Sequence, residues 1–193
     1  MKPPKVLDNK QNGKVCDELR QDIKKGSRLS IISAYFTIYA YDELKRELGK
    51  INSMRFIFTE PTFVKNDNEL IREYYIKHNY EKRISGNEFE IKLRNKMNQA
   101  AIAKECAKWL EEKAQIKSLK KENPAHPRLI YIENDDDNIS INGTVDFTSD
   151  GLGITNSNRL DSNTCMYGRE YTICFLRSFN ELWDDESAVE DVK

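Results

Sequence analysis

The sequence predicts an α/β fold with a mixed, largely parallel central sheet flanked by helices, and three observations carry that prediction. Two compact runs, Leu29 to Thr37 and Met54 to Thr59, are apolar and rich in β-branched and aromatic residues, as strands covered on both faces are. Between them, Ala40 to Gly49 places Leu44 and Leu48 on one helical face and ends on a glycine. A strand, helix, strand succession of this length predicts two parallel strands with a right-handed crossover, and ligands of such sheets gather at the carboxyl ends of the strands.

The remaining elements follow from periodicity and punctuation. Val15, Leu19 and Ile23 recur every fourth residue in 15–25, which predicts a short amphipathic helix stopped by Gly26-Ser27. Glu60-Pro61 ends the second strand, because proline has no amide proton to give to a ladder. Residues 69–84 and 88–114 read as helices separated by Gly86, the second long and polar, and Lys113 to Lys121 reads as a lysine-rich connection. Arg128 to Ile132, Ile139 to Phe147 and Tyr171 to Leu176 read as strands, the first two joined by the acidic turn 134–138, and Phe179 to Glu186 as a last short helix. That turn lacks the ligand spacing of a calcium loop. The domain is expected to span 1–183, with 184–193 an acidic linker.

Composition bounds the function. The chain has 193 residues, 38% of them hydrophobic and 33% charged, enough for one domain with a core. No eighteen apolar residues run together and no signal-like stretch opens the chain, which predicts a cytoplasmic protein with no membrane partner. Cys16, Cys106, Cys165 and Cys174 form no C-x-x-C pair, so buried free thiols are expected and neither a zinc site nor another metal centre is. Net charge is −1, yet residues 1–133 hold 27 Lys and Arg against 19 Asp and Glu, while 134–193 hold 4 against 13. The basic part has the charge to meet phosphates, and Lys92, Arg94 and Lys96 on the long polar helix are its candidate nucleic-acid contacts.

The chemistry centres on one of two histidines. His78 sits among lysines and arginines in a helical run and reads as a solvated side chain. His126 stands at a strand entrance, and Arg128, two residues on, faces the same side if pairing begins that early. Glu133 follows near the far end of that strand. Gly143-Thr144-Val145-Asp146 then leads into the small-residue turn Phe147 to Gly153, where amides and hydroxyls, among them that of Ser149, can approach a phosphate.

Taken together, His126-x-Arg128, four residues, Glu133, then Gly143-Thr144-x-Asp146 resembles the phospholipase D superfamily signature His-x-Lys, four residues, Asp, then Gly-Ser-x-Asn. The resemblance implies His126 as nucleophile or acid, Arg128 as phosphate cation, Glu133 as orienting carboxylate, and phosphate contacts from Thr144, Asp146 and Ser149. Two-step nucleophilic cleavage of this kind needs no metal. Besides the conservative exchange of serine for Thr144, the chain departs from the signature at three positions. Arginine replaces a compact ammonium with a planar fork, glutamate adds a methylene, and Asp146 sets a carboxylate where an anionic phosphate would sit. Such enzymes pair two motifs and this chain has one, so an active centre implies a homodimer.

A wider resemblance covers nearly the whole chain. The segments SAYFTIYAYDELKRELGK, MRFIFTEPTFVK, GNEFEIKLRNKMNQAAIAKECAKWL and VDFTSDGLG resemble the phospholipase D-like region that opens many bacterial Swi/Snf-type superfamily II helicases. It implies a nuclease-like accessory domain contacting DNA, followed by a helicase motor. No G-x-x-x-x-G-K-[ST] occurs here, so ATP and magnesium are expected only in that motor and no cofactor in this domain. Two other expectations stand beside this one: a metal-independent phosphodiesterase or endonuclease active as a homodimer, and a non-catalytic assembly module.

Overall fold

A computed structural model describes residues 2–59, 88–121 and 127–192, with the side chains of 88–98 outside the description. The expected helix at 69–84, both histidines, and the side chains of Lys92, Arg94 and Lys96 therefore lie outside the described residues. Among the described residues the chain forms β1 (Lys5–Leu7), α1 (Val15–Asp22), β2 (Arg28–Ser33), α2 (Ile38–Leu48), β3 (Ser53–Phe58), α3 (Glu88–Lys113), β4 (Ala114–Leu119), β5 (Arg128–Glu133), β6 (Asn138–Gly143), β7 (Asn163–Tyr167), α4 (Arg169–Asp184) and β8 (Val189–Asp191). The strands make one sheet in the order β1-β7-β6-β5-β2-β3-β4-β8.

The expected strand, helix, strand unit is present, with β2 and β3 parallel and in register from Arg28 opposite Ser53 to Ser33 opposite Phe58. The acidic turn closes an antiparallel hairpin in which Glu133 faces Asn138. The sheet as a whole corrects the expectation of a largely parallel one. Only the β2-β3 and β3-β4 pairings are parallel, whereas β1-β7, β7-β6, β6-β5, β5-β2 and β4-β8 are antiparallel. Short strands from the chain ends and from the segment after the small-residue turn add antiparallel partners outside the parallel centre.

Three further readings change. Tyr171 to Leu176 is not a strand but the first half of α4, because Thr172, Leu176, Phe179 and Trp183 recur at helical spacing and are all buried. The lysine-rich stretch contains β4, whose Ser118 and Leu119 are buried. In the acidic tail, Val189 is 3% exposed and pairs with Leu119, so that part of the tail closes the sheet.

The core has two layers of contact, one on each face of the sheet. On one face α1, α2 and α3 bring Val15, Leu19, Ala40, Leu44, Cys106 and Trp109 against Ile31, Phe56, Ile130, Ile132, Ile139 and Ile141. On the other, α4 lays Leu176, Phe179 and Trp183 against Ile32, Ile57, Leu129 and Tyr131. Alternation along each strand thus sorts its side chains between two helical layers. Cys16, Cys106 and Cys165 are buried free thiols, and burial pushes Cys106 up to about 12 and Cys165 to about 11; Cys174, contrary to expectation, is exposed. No helix among the described residues is long and apolar enough to cross a membrane.

Candidate functional site

The carboxyl ends of β2 and β3 meet the start of β5 and the end of β6 at one edge of the molecule, since Ile32 faces Leu129 and Arg128 faces Gly143. The chain leaving β6 is stitched onto the end of β2. Phe36 and Phe147 form an isolated parallel bridge with rings stacked at 5.2 Å, and the Phe147 amide donates to Ser33 Oγ at 2.9 Å. Gly143 makes this exit possible. Its φ is +143°, and a Cβ there would stand 2.1 Å from the Ser162 carbonyl oxygen. Gly151 is equally tight, with a Cβ position 2.4 Å from the Asp146 carbonyl oxygen.

This path turns Asp146 inward. Its residue exposure is 6%, and its Oδ1 accepts from the Ala34 amide at 3.0 Å, from Ser33 Oγ at 3.1 Å and from Arg128 Nε at 3.0 Å. Its Oδ2 pairs with Arg159 Nη2 at 3.6 Å. One carboxylate therefore lies between two guanidiniums. Arg159 is held in turn by Asp161 at 3.2 Å, by Asp150 at 3.8 Å and by the Thr144 carbonyl at 2.9 Å. Burial lowers the Arg159 pKa, but the Asp161, Asp150 and Asp146 charges outweigh it and raise the net value. Burial likewise raises Asp150, and the Thr148 hydroxyl, Arg159 and nearby amides more than reverse it, leaving the carboxyl below its usual value.

Of the residues singled out by spacing, Arg128, Thr144 and Asp146 come together. The Thr144 hydroxyl is engaged within the chain, donating to Asp161 Oδ1 at 3.2 Å and accepting from the Ser162 amide at 3.1 Å. Ser149 is half-buried and its carbonyl accepts from the Ile154 and Thr155 amides. Glu133 does not join them. It closes the opposite end of β5 and pairs with Arg28. Five residues from Arg128, it also points to the other face of the pleated strand, on the side of α4.

Ser33, Ala34, Arg159, Asp150 and Asp161 belong to the site and were not expected from spacing. Arg159 follows Asn156-Ser157-Asn158 and carries no motif. Asp161 is the better-hidden member, its side chain 2% exposed, and it also accepts from Asn9 Nδ2 at 2.9 Å. A recess of about 120 Å³ opens beside Arg159, lined by Asp8, Asn9, Lys10, Asp150, Ser157 and Asp161 among others. Among the described residues carboxylates thus outnumber cations at the mouth. Among the described residues no group of His, Cys, Asp and Glu is arranged to hold a metal ion.

No protein-family model matches the chain, and no curated protein matches it. Among solved structures it is similar to the crystal structure of phosphatidylserine synthase from Haemophilus influenzae Rd KW20, with a TM-score of 0.52 and 12% identity. The match covers 98% of this chain and 39% of that one, so this chain spans well under half the length of the solved protein. An identity this low speaks to backbone architecture alone: the chain has a phospholipase D-like fold.

Proposed function

We propose that the chain is a nuclease-like, phospholipase D-like domain of a bacterial DNA helicase, carrying one degenerate motif and contacting DNA phosphates without cleaving them. The observation that carries the non-cleaving part is the bond between Arg128 Nε and Asp146 Oδ1 at 3.0 Å, with the Arg128 side chain only 16% exposed. Phosphodiester cleavage needs positive charge aimed at the non-bridging oxygens as negative charge builds on them. Here a fixed carboxylate takes that charge and presents its own to any phosphate that approaches. Glu133 is turned to the other face of the strand and pairs with Arg28.

Contact with DNA is assigned to cations outside the altered motif, Lys92, Arg94 and Lys96 of α3 foremost, in the basic part of the chain. The helicase setting rests on the resemblance of the four long segments, and there ATP and magnesium belong to the motor. The test is incubation of the purified protein with single- and double-stranded DNA in EDTA. Intact DNA, together with retention that weakens with salt and is lost when those three cations are reversed in charge, is the expected result. Cleavage that disappears in His126→Ala overturns the proposal in favour of an active homodimer. Salt-independent retention, or none, removes the DNA-facing part.

A further inference from the structure

We infer that Arg128 and Arg159 form an anion receptor closed by the chain's own Asp146 carboxylate, which stands in for a phosphodiester. The inference rests on reading this end of the sheet as a former phosphodiester site, and it adds what keeps that site shut.

Two guanidiniums converging from separate parts of the chain on one pair of oxygens is the arrangement that phosphate recognition uses. Arg128 enters from the start of β5, and Arg159 from the loop before β7. Between them, Asp146 Oδ1 takes Arg128 Nε at 3.0 Å and Oδ2 faces Arg159 Nη2 at 3.6 Å. The Ala34 amide and the Ser33 hydroxyl supply two further donors to the same oxygen, at 3.0 and 3.1 Å. Three hydrogen-bond donors and one ion-pair partner around one anion, two of the four charged and one a backbone amide, make a built receptor whose occupant happens to be tethered.

A second layer keeps it closed. Asp161 and Asp150 flank Arg159, so among the described residues three carboxylates face two guanidiniums, a balance that opposes an incoming phosphate. Asp161 is itself fixed by Asn9 Nδ2, and the same nitrogen reaches the Gly151 carbonyl at 2.9 Å while Asn9 Oδ1 accepts from the Val15 amide at 3.0 Å. The segment after β1 thereby clamps the Arg159 loop from outside.

Asp146→Asn is the informative variant. An asparagine oxygen still accepts from Ala34, Ser33 and Arg128, so the loop keeps its anchor. Its amide nitrogen sets a donor against Arg159, which turns that guanidinium outward, and one negative charge is gone. Binding of a fluorescent single-stranded oligonucleotide, measured across a salt series, is expected to tighten about tenfold. The log–log salt slope is expected to steepen by about 0.7, the increment for one added phosphate contact on a single strand. The gain should vanish in the double variant Asp146→Asn with Arg159→Gln, and Asp136→Asn, an acid removed from the distant turn, should give none.

A folded Asp146→Asn protein that binds no better than wild type overturns the inference, as does a gain that survives loss of Arg159 or appears in Asp136→Asn. Asp161→Asn loosens Arg159 without touching the central carboxylate, and a smaller gain in the same direction is expected from it. If Asp146→Asn does not fold, no gain in Asp161→Asn overturns the inference. Wild-type affinity reports separately on the α3 contacts, so their failure leaves this result readable.

Discussion

The two ends of β5 are built from the same kinds of residue and do different things. At one end Arg128 meets Asp146, whose side chain is 9% exposed, and Arg159 closes over the pair. At the other, Glu133 meets Arg28, whose side chain is 58% exposed. Burial separates them: a partly buried charge pair costs several kcal/mol when one partner is removed, whereas an exposed pair contributes about 1 kcal/mol or less. A motif's spacing fixes which residues occur, but the pleat and length of the strand decide whether they share a site.

The largest expected effect breaks the buried end. Asp146→Ala strips the charge from between two guanidiniums and takes from the Ala34 amide the oxygen it donates to, and a loss of about 4 kcal/mol is expected in urea unfolding. A loss near that of an exposed pair would erase the contrast. Gly143→Ala should follow at about 3 kcal/mol, because a methyl group meets the Ser162 carbonyl and the backbone holds a φ that alanine avoids. An unchanged unfolding midpoint would mean that the turn into Thr144 has room it does not show.

Acid should act on the same end. The Asp150 carboxyl lies below its usual value in the folded chain, so its contribution is present above the unfolded value near 3.8 and fades as pH falls through the lower folded one. Thermal midpoints measured from pH 5 down to pH 2 should therefore fall less steeply in Asp150→Asn than in wild type, and parallel curves would remove Asp150 from the network. The smallest effect belongs to the exposed end. Glu133→Gln should change stability by no more than about 1 kcal/mol and leave DNA binding untouched, whereas a large change in either would return Glu133 to the site.

Much of the centre of the fold was legible in the sequence. Apolar β-branched runs around a short amphipathic helix mark β2, α2 and β3, and the acidic turn marks the β5-β6 hairpin. The edges were not. β1 and β8 have three residues each, too few for a period to show, and β4 hides its inward residues among lysines. In Tyr171 to Leu176 an apolar stretch with Thr and Ile imitates a strand, and only extension to Phe179 and Trp183 reveals the helical repeat. β1 and β8 pair antiparallel, and β5, legible as a strand, runs antiparallel to β2, so the sequence reads as more parallel than the sheet is.

The candidate site was legible in part for a related reason. Arg128 and Asp146 lie within local patterns, and the small-residue turn between β6 and β7 advertises a backbone that can come close to another. Arg159 and Asn9 reach the site across the fold from polar loops, where neither period nor spacing distinguishes them from solvated side chains. Glu133 was the opposite case, a residue the pattern nominated and the strand carried away.

The account turns on what lies between Arg128 and Arg159. Its most direct test is a crystal structure of the Asp146→Asn protein grown in phosphate. A phosphate bound to Arg159, turned outward from the asparagine that keeps the place of the native carboxylate, is the predicted result. An unaltered Arg159, with no anion bound to either arginine, would contradict it.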